Sequence, residues 1–478
     1  MQELSAGLDL TRGSTLKNLL TLSIPIMISN FMQTFYNLAD TFWLGRIGDQ
    51  ARDAVSIVGI AFPIIFFFIS FGIGLVIAGT ALISRYKGAR MPDKIRELVG
   101  QFGIVFVFFS IFFIAVSLFF MDNILHLLQT PPEIFDMAKE YMSIIIISVL
   151  FMFIFFAYQS ISHGIGDTLT PMKIQIVAVS LNVILDPFFI FGWWIFPKFG
   201  IMGAAYATLL CRFIMAILGF IAFNKKTPQF MPSKQELKPN PPVMWSILKI
   251  ALPASISQST ISFGFLLLQG FVNSYGTVVI SVNAIGNRMI SLFMMPAMGF
   301  SKGLATIVGQ NLGANKIERI KITVSHTFGV VLLIMGTGGA LMYFFGGPIT
   351  SLFIDDPEVI EVGARMFRIK SVAAAFFGIL FVFIGVFNGA GHTVPAMMFN
   401  IARLWLFRVP LVYILSGKLL EFFTTGFLRD ILAVLSAPLA RYSYDALWWS
   451  MLISNVLACI IAFFLYRQGK WKKVKVES

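Results

Sequence analysis

Charge is what this sequence has least of. Lys, Arg, Asp and Glu make up 12% of its 478 residues, while 57% are hydrophobic. A soluble protein carries roughly 25% charged residues. Half that share leaves too little polar surface to cover a soluble globule of this length. Histidine and cysteine are also scarce, at four and two residues. His126, His163, His326 and His392 have no metal-ligand spacing among them, so no zinc framework is expected. Cys211 and Cys459 lie inside apolar stretches, where packing rather than a disulfide is expected. No P-loop is present, so no ATPase motor is expected, and no catalytic constellation marks the chain as an enzyme. Alternating apolar and polar residues are missing too, which excludes spanning β-strands. The first 15 residues are polar, and the first apolar stretch lacks a small-residue cleavage site, so that stretch is expected to stay as a helix.

Long uncharged runs are plentiful. Residues 54–84, 98–121, 141–162, 250–287, 371–402 and 446–466 contain no Asp, Glu, Lys or Arg. A helix needs about 20 apolar residues to cross a hydrocarbon core of roughly 30 Å. The pattern predicts an all-α integral membrane protein of about twelve spans. They are placed at 16–46, 54–84, 97–121, 134–161, 170–192, 200–223, 243–275, 279–310, 317–346, 358–388, 394–415 and 445–467. Pro25, Pro187 and Pro253 fall within spans, where each should kink its helix and free a backbone carbonyl.

The net charge of +13 does not point to nucleic acid, because of where it sits. Basic residues gather in alternate loops, at 85–96, 225–238, 316–321 and 467–475. An intervening loop carries Asp355, Asp356, Glu358 and Glu361. This is the positive-inside pattern, and it places both termini in the cytoplasm of a multi-pass cell-membrane protein.

The chain reads as two related halves. At a constant offset of 225 residues, Gly88 and Ala89 match Gly313 and Ala314, and Pro132 and Glu133 match Pro357 and Glu358. Gly164, Gly166 and Thr168 match Gly389, Gly391 and Thr393. Six spans per half make this a parallel repeat, with a pseudo-two-fold axis along the membrane normal. The expected organisation is a six-helix lobe over 1–223, a polar, Pro-rich cytoplasmic linker over 224–242, and a second six-helix lobe over 243–478. Segment 416–444 has no counterpart of similar length. It is expected to form a helix on the outer leaflet, with a lid as the alternative.

Ionisable groups within a bilayer cost several kcal/mol and mark function. Only Asp40 and Asp186 lie well inside predicted spans among the acidic residues. The repeat places apolar residues, near Leu268 and Val409, at the corresponding positions. Asp40 lies six residues before Arg46 and Asp186 six before Gly192. At about 1.5 Å per residue, both carboxylates sit about 9 Å from the outer ends of their helices. Thr208 falls near the same height on the next span. Tyr36 and Asn37 precede Asp40 by four and three residues, and Asn182 precedes Asp186 by four, so each shares a face with its carboxylate. Pro187 should free the carbonyl of Val183. The set suits sodium, through its oxygens. It equally suits a proton, because two close carboxylates in a low-dielectric site oppose each other's ionisation. No other metal and no organic cofactor is expected.

Basic residues in or near second-half spans are Arg288, Arg368, Lys370, Arg403 and Arg408, with Arg212 in the first half. Arg288, Arg403 and Arg408 are candidates for contact with substrate or an anion. Arg368 and Lys370 are two apart and cannot share a helix face.

The opening stretch LTRGSTLKNLLTLSIPIMISNFMQTFYNLADTFWLGRIG resembles that of multidrug and toxic compound extrusion (MATE) transporters, as do LNVILDPFFIF and GIMGAAYATLL. The likeness covers all but 416–444, and Asp40 with Asp186 is similar to the prokaryotic DinF-type branch. It implies a twelve-helix, two-lobe exporter driven by inward proton or sodium movement. Asp40, Asn182, Asp186 and Thr208 match the family's amino-lobe cation site, and Tyr36 and Asn37 fall in the same motif. The acidic residues that the NorM-type branch carries in its seventh and tenth helices have no counterpart here. The resemblance implies an antiporter with small amphipathic organic substrates, often cationic. The chain is expected to act as a monomer. A flippase for lipid-linked precursors is the alternative.

Overall fold

The computed structural model describes residues 7–48, 51–422 and 427–473, and among these residues the regular structure is entirely helical. The helices are α1 Thr15–Leu44, α2 Ala51–Gly88, α3 Pro92–Phe119, α4 Met121–Leu127, α5 Phe135–Ile147, α6 Val149–Ile165, α7 Leu169–Phe191 and α8 Ile201–Lys226. They continue as α9 Pro241–Asn273, α10 Thr277–Gly313, α11 Ile317–Ser351, α12 Pro357–Gly389, α13 Thr393–Ile401, α14 Val409–Leu415, α15 Phe427–Ser436 and α16 Ala446–Arg467. Eleven helical segments among the described residues are long and apolar enough to cross a membrane. Helix α1 completes the dozen by length, at 30 residues. Its apolar run is interrupted by Ser23, Asn30, Gln33, Thr34, Asn37 and Asp40, the last two of which reappear below.

Element types and order follow the expectation, while several boundaries move. The predicted span 134–161 is broken at Ser148, the cap between α5 and α6, whose hydroxyl donates to the Ile145 carbonyl at 2.5 Å. The predicted span 394–415 is α13, a seven-residue π-helical stretch Ala402–Arg408, and α14. Pro25, Pro187 and Pro253 all sit inside helices, as do Pro63, Pro296 and Pro348. Sharp starts have local causes. Ser14 caps α1 by accepting from Lys17 N, and Asp356 caps α12 by accepting from Glu358 N and Val359 N.

The chain divides into two compact units. The first comprises Met1–Ile256 with Thr306–Ile317, and the second Ser257–Ala305 with Glu318–Lys475. In the first unit, α2, α3, α5, α6 and α8 pack around a core containing Phe102, Phe106 and Phe153. The chain before α1 is tied into the same unit. Leu10 N donates to Gln310 Oε1 at 3.0 Å, Asn311 Nδ2 to the Leu10 carbonyl at 3.2 Å, and Lys316 Nζ to the Thr11 carbonyl at 2.8 Å.

The segment expected to be a linker is clamped onto α3. Arg96 Nε donates to Glu236 Oε1 at 2.7 Å. Gln101 Nε2 donates to the carbonyls of Glu236 and Lys238, at 2.9 and 2.8 Å, and Gln101 Oε1 accepts from Asn240 N at 2.8 Å. Desolvation would raise the pKa of Glu236, but the bonds from Arg96 and Ser233 outweigh it and hold the carboxyl below its usual range. In the second unit, α12 packs extensively against α16. Segment 416–444 holds α15, flanked by the 3-10 turns Lys418–Phe422 and Ala437–Asp445, with residues 423–426 outside the described part. Leu432 of α15 is buried, while Ile431, Val434 and Leu435 are exposed.

Candidate functional site

Helices α7 and α8 form a tight hairpin. Gly192 ends α7 at φ 73°, a backbone that glycine adopts without strain. Gly203 then lies directly against the Phe189 carbonyl, where a side chain would collide. This close approach brings the inner face of α7, with Asn182 and Asp186, against α8, with Thr208, Cys211 and Arg212. Helix α1 packs on α7 from another side and supplies Tyr36 and Asp40.

The structure brings together five of the six residues singled out for a coupling ion. Asp186 and Asn182 are completely buried, and Asn182 Nδ2 donates to Asp186 Oδ1 at 3.2 Å. The hydroxyls of Tyr36 and Thr208 are 2.8 Å apart and hydrogen-bonded. The carboxyls of Asp40 and Asp186 lie within hydrogen-bonding reach of each other, and Tyr36 reaches Asp40. Asn37 is exposed and outside this group.

Three groups nearby did not figure among the candidates. Arg212 donates from Nη1 to Ser148 Oγ at 2.7 Å, and its charge acts on Asp40. Tyr141 is buried within reach of the fields of both carboxyls. Cys211, a free and buried thiol, adjoins Asn182. The spacing carried a signal for two of them, since Cys211 and Arg212 follow Thr208 by three and four residues and so share its face.

The site's chemistry is a surplus of acceptors. Asp40 Oδ1, Asp186 Oδ2 and Asn182 Oδ1 are buried and have no hydrogen-bond partner. Buried oxygens without partners are costly, and three in one cluster form a site that a proton or a small cation fits. No group of three or more His, Cys, Asp or Glu suited to a metal ion occurs among the described residues. An apolar groove of about 330 Å³ between α1 and α7 is lined by Met32, Phe35, Val179, Ser180, Val183 and Ile184. A second cavity of about 400 Å³ lies at the far end of α7, around Asp167, Thr168 and Leu169.

In the second unit, Arg403 and Arg408 are buried, whereas Arg288 is exposed. Lys370 is buried and Arg368 exposed, as their spacing requires.

The sequence profile of the MatE family matches residues 25–188 and again 253–414. The chain therefore belongs to the MatE family of membrane transporters, which are not enzymes, and it contains the family's repeat twice. It is 26% identical to the probable multidrug resistance protein YpnP of Bacillus subtilis, over 98% of both chains. To the probable multidrug resistance protein YoeA of the same organism it is 29% identical, over 82% of this chain and 85% of the relative. To the probable multidrug resistance protein NorM of Thermotoga maritima it is 26% identical, over 96% and 93%. The fold matches an outward-facing MATE-family transporter of the MOP superfamily with a TM-score of 0.81 at 23% identity, covering 100% of this chain and 99% of that one. It also matches the Vibrio cholerae MATE transporter VcmN with a TM-score of 0.83 at 22% identity, over 95% and 97%.

Proposed function

We propose that this chain is a secondary active multidrug efflux antiporter. It exports small amphipathic organic compounds, many of them cationic, in exchange for protons or sodium ions moving inward. The observation that carries the reading is the set of unpartnered buried oxygens on Asp40, Asn182 and Asp186. A proton on one carboxyl, or a sodium ion held by both with Asn182 and the Tyr36–Thr208 pair, supplies the missing partner. Family relatives named for multidrug resistance support the substrate class, and the groove lined by Met32 and Phe35 offers an apolar surface between α1 and α7.

In this reading, ion binding changes how α1 packs on α7, with the Pro25, Pro187 and Pro253 positions as flexible points. The positive-inside pattern puts both termini on the cytoplasmic side of the cell membrane. Lobes 1–223 and 243–478 act as a monomer joined through 224–242, and the apolar face of α15 anchors 416–444 in lipid. A flippase for lipid-linked precursors is the second reading, favoured only by the buried basic residues of the second unit.

The test is dye efflux from proteoliposomes under an imposed pH gradient, then an imposed sodium gradient. One gradient should drive uphill export. Export indifferent to both, with lipid-linked precursor moving instead, would favour the flippase.

A further inference from the structure

Three cations are buried in the second unit. Lys370, Arg403 and Arg408 are 3%, 1% and 4% exposed. Such side chains are almost never fully buried unless paired, and an uncompensated buried charge costs several kcal/mol. Here every assigned partner is a neutral oxygen or a ring. Lys370 Nζ donates to Asn283 Oδ1 at 2.8 Å and to Asn287 Oδ1 at 3.1 Å. Arg408 donates from Nε to Ser454 Oγ at 3.1 Å and from Nη2 to Asn455 Oδ1 at 2.8 Å. Arg403 Nη1 reaches the same Asn455 Oδ1 at 3.4 Å, and its guanidinium carbon lies 4.6 Å from the centre of the Phe377 ring. Arg403 Nε is buried with no partner.

The three form one cluster. Both guanidiniums share one amide oxygen, and Asn455 Nδ2 ties that amide to the Ala373 carbonyl, three residues beyond Lys370 on α12. The charges of Lys370 and Arg408 lie close enough to repel. Among the described residues the one buried carboxylate of this unit is Asp445, which faces Arg365 at 3.7 Å. It sits at the N-cap of α16, ten residues before Asn455, about 15 Å of helix rise.

The backbone is shaped for this convergence. In an α-helix, residues five apart point about 140° away from each other. The stretch Ala402–Arg408 is π-helical, and its i→i+5 pattern brings positions five apart onto neighbouring sites. That turn lets Arg403 and Arg408 meet at a single acceptor.

We propose that Lys370, Arg403 and Arg408 form a binding site for one small monovalent anion, with chloride the first candidate, and that Asn283, Asn287, Ser454 and Asn455 position the three cations around it. Burial argues for size, because an organic anion needs an open pocket, whereas a bare halide needs only the space of one atom. The site is separate from the Asp40–Asp186 pair, and its failure would leave the efflux reading untouched.

The test uses the purified full chain, exchanged into gluconate at constant ionic strength and titrated with chloride. Chloride and bromide should raise the melting temperature saturably, by about 2 °C or more, and Arg408→Gln should remove the dependence. The exposed Arg288→Gln should keep it. Should Arg408→Gln fold poorly, binding of radiolabelled chloride to the wild-type protein decides, with one displaceable ion per chain expected. No retained chloride, or a rise that gluconate reproduces, would overturn the proposal.

Discussion

Gly88 and Gly313 make the same contact with each other's helix. A side chain on Gly88 would strike the Gln310 carbonyl, and one on Gly313 would strike the Arg85 carbonyl. Positions 85 and 88 plus 225 are 310 and 313, so this crossing is its own repeat image. Backbones can approach this closely only where both residues lack Cβ. Gly88→Ala and Gly313→Ala should each destabilise the purified protein by about 1–3 kcal/mol, the usual range for overpacking. Gly329→Ala, where a Cβ meets open space, should change little. Melting curves in detergent check the contrast, and the double variant should lose less than the sum of the singles.

The clamp between Arg96 and Glu236 sets a pH dependence. Glu236 titrates below its usual range in the folded chain. Its contribution is therefore complete above the unfolded carboxylate pKa, about 4.3, and is lost as pH falls through the lower folded value. Glu236→Gln should cost on the order of 1 kcal/mol or less at neutral pH, because the pair is near the surface. Melting temperatures of the two proteins should converge as the buffer is acidified below pH 4.3. A gap that widened on acidification would contradict the assignment.

Membrane orientation follows from loop charge. Ser233 is exposed on the clamped segment. A cysteine placed there, with Cys211 and Cys459 replaced, should react with an impermeant reagent only after the cytoplasmic side is opened. Labelling in intact cells would reverse the orientation.

Replacing residues 419–435 by a short connection should leave folding and efflux largely intact, since the matching place in the first half is the short stretch between α7 and α8. Thermal stability and transport of the shortened chain check this. A protein that folded but no longer exported would make the segment a lid.

Much of the fold was legible because bilayer-spanning helices must be long and apolar, and that constraint is written in composition. Five members of the carboxylate cluster were legible: Asp40 and Asp186 as the acidic residues inside spans, Tyr36 and Asn182 at four-residue spacing from them, and Thr208 from its matching depth. Asn37 satisfied the same spacing and is nonetheless exposed, since spacing defines a face and not which neighbour covers it. Arg212 was harder to see, because its relation to Asp40 depends on how α8 packs, although its spacing from Thr208 was available. The convergence of Arg403 and Arg408 was illegible. Five-residue spacing argues against a shared face in an α-helix, and only the π-helical stretch reverses that. The break at Ser148 was hidden for a related reason, as it sits within an uncharged run that reads as one span.

The central claim is that Asp40 and Asp186 act as one coupling unit. Asn in place of either keeps size and hydrogen bonding but removes the ionisable charge. Gradient-driven dye efflux from proteoliposomes should be abolished by Asp40→Asn and by Asp186→Asn, with expression and substrate binding retained. The double variant should be no worse than either single, as expected of residues that work together. Efflux near the wild-type rate in both single variants, under proton and sodium gradients alike, would contradict the account.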